Sequence, residues 1–572
     1  MQKIIKQKKC KNCQHHFPIT DKDLEFYEKI SPVFHWEKYP IPTPQMCPEC
    51  RQKRRLIWRN ERNLYKRECD ATGKPIISIY HPKSVYKIYS QDIWWSDNWD
   101  AMDYGRDFDF NQTFFEQYDI LFREVPKISL IASNNENSQY VNLETDSKDC
   151  YMNIWGHFNK DCMYNTHVFH SEDCVDNYWL DHSKHCYECF KCFDSYKLFY
   201  SHWCYSSRNS YYCSFSRDLE NCFWCVHLEN KKYHILNTEY APEVYEEKIK
   251  EILSNKENLE NFLSELIELR TLHSSKNNTI QNSENVSWED IKDSNNAHEI
   301  YGGEDIQDAK YIYIWMWIQD TYDSTRLGFQ ISKCYEVMAG TNLSNVWFSC
   351  YVLDGISDTY YSTNCHNSHH LFGCTWLRNK SYCILNKQYT KEQYEALIPK
   401  VIEKMKSTWE WWEFFPSSMS PFGYNETVAN EYFPLNPPVS ENLDFPLNKG
   451  DTWSEAKGGG LIQWIIENNT FIPLNSIQNK KRIKWKQIFN WSDYQIPLPK
   501  VEKIIPAEKL PENISDIPDD ILNWAIECEV TRKLFRIIKP ELEFYRKHNI
   551  IIPRKHPDQR HLERMSLKNI NM

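Results

Sequence analysis

The sequence predicts a mainly β chain. It has a small two-knuckle domain at the N-terminus, a duplicated cysteine-rich β-solenoid-like body with capping helices, and a degenerate copy of the small domain at the C-terminus. Three observations predict this. A cysteine tetrad recurs every 12 residues, a block returns 149 residues later, and the two ends match at offsets of 518 and 509.

The tetrad is Ser147-Lys148-Asp149-Cys150, then Asn159-Lys160-Asp161-Cys162, Ser171-Glu172-Asp173-Cys174 and Ser183-Lys184-His185-Cys186. Short aromatic and β-branched runs such as Tyr151-Met152-Asn153-Ile154-Trp155 lie between. Polar turn, Cys, short strand and polar turn is the pattern of a solenoid, with each Cys above the next in an inward thiol ladder. The strict period is expected to decay after Cys186, although Cys stays frequent to Cys225.

The duplication aligns Cys225, Leu228, Asn230, Tyr233, Ile235 and Asn237 with Cys374, Leu377, Asn379, Tyr382, Ile384 and Asn386. Each copy closes on a helical pattern, residues 242–270 and 390–406, with Pro242 at a first helical position and Thr390 as an N-cap. Such helices would cover an open solenoid edge. The polar run 273–298 reads as a linker. At the ends, Cys10, Cys13, Phe17, Ile19 and Leu24-Glu25-Phe26-Tyr27 match Cys528, Thr531, Phe535, Ile537 and Leu542-Glu543-Phe544-Tyr545. Cys47, Cys50, Arg51 and Arg55 match His556, Gln559, Arg560 and Arg564. The expected division is 1–80, 81–146, 147–272, 273–298, 299–408, 409–510 and 511–572.

Composition bounds the class. Of 572 residues, 15% are aromatic, 21 are Cys and only 14 are Gly, which predicts a core of rings and thiols and argues against Gly-rich phosphate loops. No apolar run is long enough for a membrane helix, and the basic start has no apolar stretch behind it, so the expectation is a cytoplasmic protein with thiols rather than disulfides. The net charge of −11 is uneven: residues 1–67 carry 16 Lys/Arg against 7 Asp/Glu, and residues 528–572 carry 11 against 5. Basic ends on an acidic body suggest separate tasks.

Cys10-Lys-Asn-Cys13 and Cys47-Pro-Glu-Cys50 supply four soft ligands with short bites, which is what tetrahedral Zn²⁺ takes. One structural zinc per chain is expected on Cys10, Cys13, Cys47 and Cys50. With Phe17, Glu25-Phe26-Tyr27 and Cys47-Pro48-Glu49-Cys50-Arg51, this segment resembles a bacterial zinc-ribbon domain family over about 45 residues. Arg59-Asn60-Glu61-Arg62, Trp94-Trp95-Ser96-Asp97 and Tyr104-Gly105-Arg106-Asp107-Phe108-Asp109-Phe110 extend the likeness to larger bacterial cysteine-repeat zinc-ribbon proteins. The resemblance implies structural zinc and no activity. The C-terminal copy keeps the scaffold but reads Cys528, Thr531, His556 and Gln559 at the ligand positions, so it is expected to have lost its zinc.

Other candidates are weaker. Cys186, Cys189 and Cys192 have iron–sulfur-like spacing, but the further Cys of a ferredoxin run is Tyr196, and the reading is core thiols or a second metal. Cys222 and Cys225 are treated likewise. His366, His369 and His370 lack a local carboxylate and read as turn histidines. Trp94, Trp95 and Trp99 beside Asp97, Asp100, Asp107 and Asp109 are either an aromatic mini-core or the material of a sugar site. Gly73-Lys74 is no P-loop, Gly458-Gly459-Gly460 reads as a hinge, and neither HExxH nor GxSxG occurs.

The stretch carrying Arg51, Lys53, Arg54, Arg55, Arg59 and Arg62 mixes cations with Trp58 and Tyr65. It suits nucleic-acid contact, docking against the protein's own acidic body, or a solvated face. Together these features favour a zinc-binding, non-enzymatic scaffold whose basic ends grip a partner such as RNA, a ribonucleoprotein or another protein complex. The alternative is a glycan-binding or glycan-processing solenoid enzyme.

Overall fold

The computed structural model describes residues 3–254, 344–349, 355–435, 461–467, 470–473 and 488–567 apart from 495, 498 and 499. The expected linker 273–298, the glycine run 458–460 and the start of the second solenoid copy, 299–343, lie outside these residues.

The body is a parallel β-solenoid of about thirteen turns in two coils. In the first coil strands pair each residue with the one 12 further on: Thr166 with Tyr178, Leu180 with Cys192, Cys192 with Cys204. Its turn is made of triplets. Every third residue from Asn134 to Leu236 has a left-handed φ between +46° and +64°, giving four bends per turn. That conformation is unfavourable for L-residues and worst for β-branched ones, and none of these bends is Val, Ile or Thr.

The residue after each bend points inward. Four inward side chains per turn leave room mainly for small and aliphatic groups, and these positions hold Cys150, Asn153, Asn159, Cys162, Asn165, Val168, Ser171, Cys174, Asn177, Leu180 and Ser183, all buried. The inward N–H groups are satisfied by these side chains. Asn159 N donates to Ser147 Oγ (3.0 Å), Ser171 N to Asn159 Oδ1 (3.1 Å), Ser183 N to Ser171 Oγ (3.2 Å) and Ser195 N to Ser183 Oγ (3.1 Å). Thiols do the same: the N–H groups of Cys162, Cys174 and Cys186 point to the sulfurs of Cys150, Cys162 and Cys174. Each sulfur also donates to a carbonyl, as Cys189 Sγ does to Leu198 O (3.2 Å). A buried backbone N–H must be paired, so the interior selects small side chains that can accept. Cys adds apolar bulk to that capacity.

The expected decay of the 12-residue period does not occur. Pairing continues through Phe223 with Ile235, and Cys213 N donates to Ser201 Oγ 12 residues earlier. What varies after Cys186 is only which small residue fills the inward place.

Both coils end alike. Strand Glu229–Ile235 turns back through Asn237 onto Thr238–Glu239, and strand Ser381–Ile384 through Asn386 onto Lys387–Gln388. Asn237 Oδ1 accepts from Val226 N (2.9 Å), and Asn386 Oδ1 from Thr375 N (2.8 Å). Helices Pro242–Ser254 and Lys391–Thr408 follow, the first opening on Pro242 and the second on a Thr390 capping box worth about 1 kcal/mol. Tyr245 and Ile252, then Tyr394, Ile398, Val401 and Met405, are buried at the coil ends.

The chain divides into two units, Met1–Ser129 with Asn278–Tyr494, and Leu130–Asn277 with Gln495–Met572. The N-terminal small domain therefore shares a unit with the second coil, and its C-terminal copy shares one with the first. In the former, Phe34 meets Tyr360 at 4.9 Å and Phe114 meets Tyr361 at 5.2 Å. Gly373 has φ +64°, and a Cβ there would lie 2.7 Å from the Phe114 ring, so only Gly admits this contact. In the latter, Met163, Tyr164, Val175, Tyr187 and Phe199 pack with Phe535, Leu542, Phe544 and Tyr545.

Candidate metal centre

At the N-terminus, strands Ile4–Lys9 and His16–Thr20 form an antiparallel hairpin whose tip is the first knuckle. Cys10 N donates to His15 O (2.8 Å) and Gln14 N to Cys10 O (3.0 Å), with Gln14 at φ +67°. The second knuckle opens helix Pro48–Leu56: Cys47 is its N-cap, Pro48 occupies the first turn and Arg51 N donates to Cys47 O (3.1 Å). Lys11 N to Gln45 O (3.0 Å) ties the knuckles together.

The four sulfurs of Cys10, Cys13, Cys47 and Cys50 lie within 4.8 Å of one another, and the cluster could hold a metal ion. Cys13 and Cys47 Sγ are 3.6 Å apart, against about 3.8 Å between sulfurs of a tetrahedron with 2.3 Å metal–sulfur bonds. Asn12 Nδ2 donates to Cys50 Sγ (3.3 Å), an outer contact that would steady a thiolate. The thiols share protons: hydrogen bonds from Cys47 and Cys50 lower Cys10, and the same contacts raise Cys47 and push Cys50 up to about 12.

The C-terminal copy reproduces the backbone of this site bond for bond. Cys528 N donates to Lys533 O (3.0 Å), Arg532 N to Cys528 O (3.1 Å) and Glu529 N to Arg554 O (3.2 Å), and Arg532 has φ +57°. His556 caps helix Pro557–Ser566 as Cys47 caps its own, with Pro557 in the first turn. The chemistry differs. Cys528 Sγ accepts from Thr531 N (3.4 Å), His556 Nδ1 accepts from Asp558 N (3.1 Å), and among the described residues these positions form no metal-ligating group.

The basic stretch is not a surface. Arg51, Arg54, Arg55, Arg59 and Arg62 are all buried, and only Lys53 is half-exposed. Arg51 donates to Met46 O, and Arg54 pairs with Glu413 (3.0 Å) and lies against Phe414. Lys53 sits over Phe433, and Ser420 Oγ donates to Ile57 O (2.6 Å). The five arginines of the expected nucleic-acid face are thus buried, and Arg54 and Lys53 meet Glu413, Phe414 and Phe433 of their own unit. Their counterparts behave likewise. Arg560 and Arg564 are buried against Asp176 of the first coil, Glu541 and Glu188. Burial pushes the Glu188 carboxyl up to about 7 despite Arg564.

The remaining candidates are structural. Cys186, Cys189 and Cys192 are three of the four inward residues of one turn, and burial holds Cys162, Cys174, Cys189 and Cys192 well above the usual thiol range, so they stay protonated. Cys186 alone is lowered, by hydrogen bonds from Cys174 and Cys189. His366 packs against Trp94 and Trp95, and His370 is half-buried over Tyr382. In the Trp94–Phe110 segment, Asp100 pairs with Lys380 (3.0 Å) and Asp107 with Lys387 (2.7 Å), while Arg378 lies over Trp94 and Trp99. The rings and carboxylates fasten this segment to the second coil.

Two groups went unnoticed in the sequence: His170, Asp181 and His182, and Asp173, His185 and His548. Apart from His548, each of these sits at a coil bend or just before one, a relation the 3-residue sub-period would have exposed. The chain matches no model of a known protein family and no curated protein.

Proposed function

We propose that this is a zinc-binding scaffold protein with no catalysis of its own, in which one structural zinc closes the N-terminal ribbon. The observation that carries it is the four-thiol cluster, whose spacing and all-sulfur donor set suit a closed tetrahedral zinc site rather than an open catalytic one. Cys10, Cys13, Cys47 and Cys50 would hold the ion, and the ion would supply folding energy to a hairpin and short helix with little core of their own. The non-catalytic part is supported by Asp100 and Asp107, which are engaged in ion pairs rather than converging on a groove. Because the arginine clusters of both ends are buried, partner contact is assigned to the outer faces of the coils and to the exposed lysines of the N-terminal hairpin, Lys3, Lys6 and Lys9.

Native mass spectrometry of the full chain tests the metal: one zinc is expected, and a folded, metal-free ribbon would refute it. Affinity purification with identification of co-purifying protein and RNA tests the scaffold role. Recovery of the chain alone at low salt counts against it.

A further inference from the structure

The first coil carries a second cluster of metal-binding side chains, far in character from the thiol site. His170 and His182 are bends of successive turns, 12 residues apart, and Asp181 immediately precedes the second. His170 Nδ1 lies 3.0 Å and His182 Nδ1 2.9 Å from the same oxygen, Asp181 Oδ1. The two imidazoles stack at 4.5 Å, and all three ligand atoms fall within 4.8 Å of one another. His157, one turn earlier, meets His170 edge-on at 4.8 Å, and Phe158 stacks on its other side.

The ordinary reading is a surface hydrogen-bond cluster in which both imidazoles donate to one carboxylate. Three features go beyond it. The backbone fixes the geometry: His170 N donates to His157 O (3.0 Å) and His182 N to Phe169 O (3.2 Å), so the imidazoles are held at the spacing of a parallel ladder, about 4.8 Å. The side chains are open to solvent, at 37%, 31% and 60% exposure for His170, Asp181 and His182. Among the described residues these two imidazoles are the only ion-pair partners of Asp181. Asp173, His185 and His548 differ in this respect. There Lys547 Nζ already sits 2.6 Å from the shared Asp173 oxygen, and the group reads as an ion-pair hub.

We propose that His170, Asp181 and His182 form a solvent-facing site for a divalent first-row transition-metal ion that favours imidazole. Each imidazole nitrogen lies about 3 Å from Asp181 Oδ1, which matches metal bonds of about 2.0–2.2 Å, with rotations of the exposed rings bringing their lone pairs together. Binding through Nδ1 requires each neutral ring to carry its proton on Nε2, a tautomer shift with no net proton loss, and water fills the remaining positions. The site is open and exchangeable, unlike the closed thiol cluster.

The test is nickel binding by equilibrium dialysis of the full, zinc-loaded chain, using Ni²⁺ alone as the probe. The expected result is one Ni²⁺ per chain with a Kd on the order of 10 µM or tighter. His170→Asn and His182→Asn, which keep a residue tolerant of the left-handed bend, should each weaken binding at least about tenfold with unchanged circular dichroism. His548→Gln should leave it intact, which separates this site from the other histidine cluster, and a zinc content unchanged by nickel loading separates it from the ribbon. Failure of the wild-type chain to bind at 100 µM Ni²⁺ (roughly tenfold above the expected Kd), or binding that survives both bend substitutions, would overturn the proposal.

Discussion

Arg560 and Asp176 form a fully buried ion pair although 384 residues separate them. Asp176 also accepts from Arg564 (3.0 Å), and Arg560 reaches Glu541 and the Tyr545 hydroxyl. The C-terminal ribbon is thus fixed to the first coil by the two arginines that correspond to Arg51 and Arg55 of the N-terminal one.

Removing the acceptor should therefore be costly. Asp176→Ala leaves Arg560 without its main counter-charge and Arg564 with Glu188 alone, and should destabilise the unit by about 3–5 kcal/mol. Asp176→Leu combined with Arg560→Met should recover much of that loss. Urea denaturation gives the energies, and proteolysis within 528–567 reports release of the ribbon. A single substitution costing under about 1 kcal/mol would mean the ring cluster alone holds the ribbon.

Metal removal should act on one end only. Cys47→Ser, or a strong chelator, should abolish zinc and unfold residues 3–56 while the coil keeps its hydrogen-exchange protection. Loss of protection in both would show that the ribbon is not an independent folding element.

The C-terminal copy should be indifferent to metal. Cys528→Ser keeps an acceptor for Thr531 N and should change neither the zinc stoichiometry nor stability by more than about 1 kcal/mol. A second zinc that disappears in this variant would reveal ligands beyond Cys528 and His556.

The interior of the coil should tolerate thiol for hydroxyl but not methyl. Ser171 Oγ accepts from Ser183 N and donates to Phe169 O (2.7 Å). Ser171→Ala strands the Ser183 N–H and should cost about 1–3 kcal/mol, whereas Ser171→Cys should cost less than half as much. Chemical denaturation of the two variants side by side decides it, and equal losses would refute the acceptor rule.

Glu144 should give the coil a pH dependence. Its Oε1 accepts from Ser147, Asn153 and Asn159, its Oε2 has no partner among the described residues, and Gly156 above it leaves the space. Burial raises its carboxyl. The folded state then holds a proton that the unfolded chain releases near the ordinary value of 4.5, so this contribution is full below that value and is lost as pH rises through the raised one. Stability should fall as pH rises above about 4.5, by about 1.4 kcal/mol for each tenfold weakening of the acid on folding. Glu144→Gln, an isostere of the neutral acid, should flatten the slope. An unchanged slope in that variant would place the dependence elsewhere.

Features that repeat over short distances were legible in the chain before any fold was known. The spacing of Cys10, Cys13, Cys47 and Cys50 marked the knuckles, the tetrads ending in Cys150, Cys162, Cys174 and Cys186 marked the coil, and the Asn237–Asn386 alignment marked its duplication. Each is a short-range rule, a ligand bite or a stacking period, and needs no knowledge of neighbours. The triplet bends were harder to see because a left-handed residue need only avoid β-branching, so Asp173, Trp179, Lys191 and Tyr200 all serve. Direction and partnership came from folding alone. Nothing in a run of arginines says whether it meets water or a carboxylate. Arg54 faces Glu413 and Arg560 faces Asp176 because charge leaves water only where a distant segment supplies a counter-charge and packed rings. That partner is fixed by the folded chain as a whole, which places each ribbon with the coil farther from it in sequence.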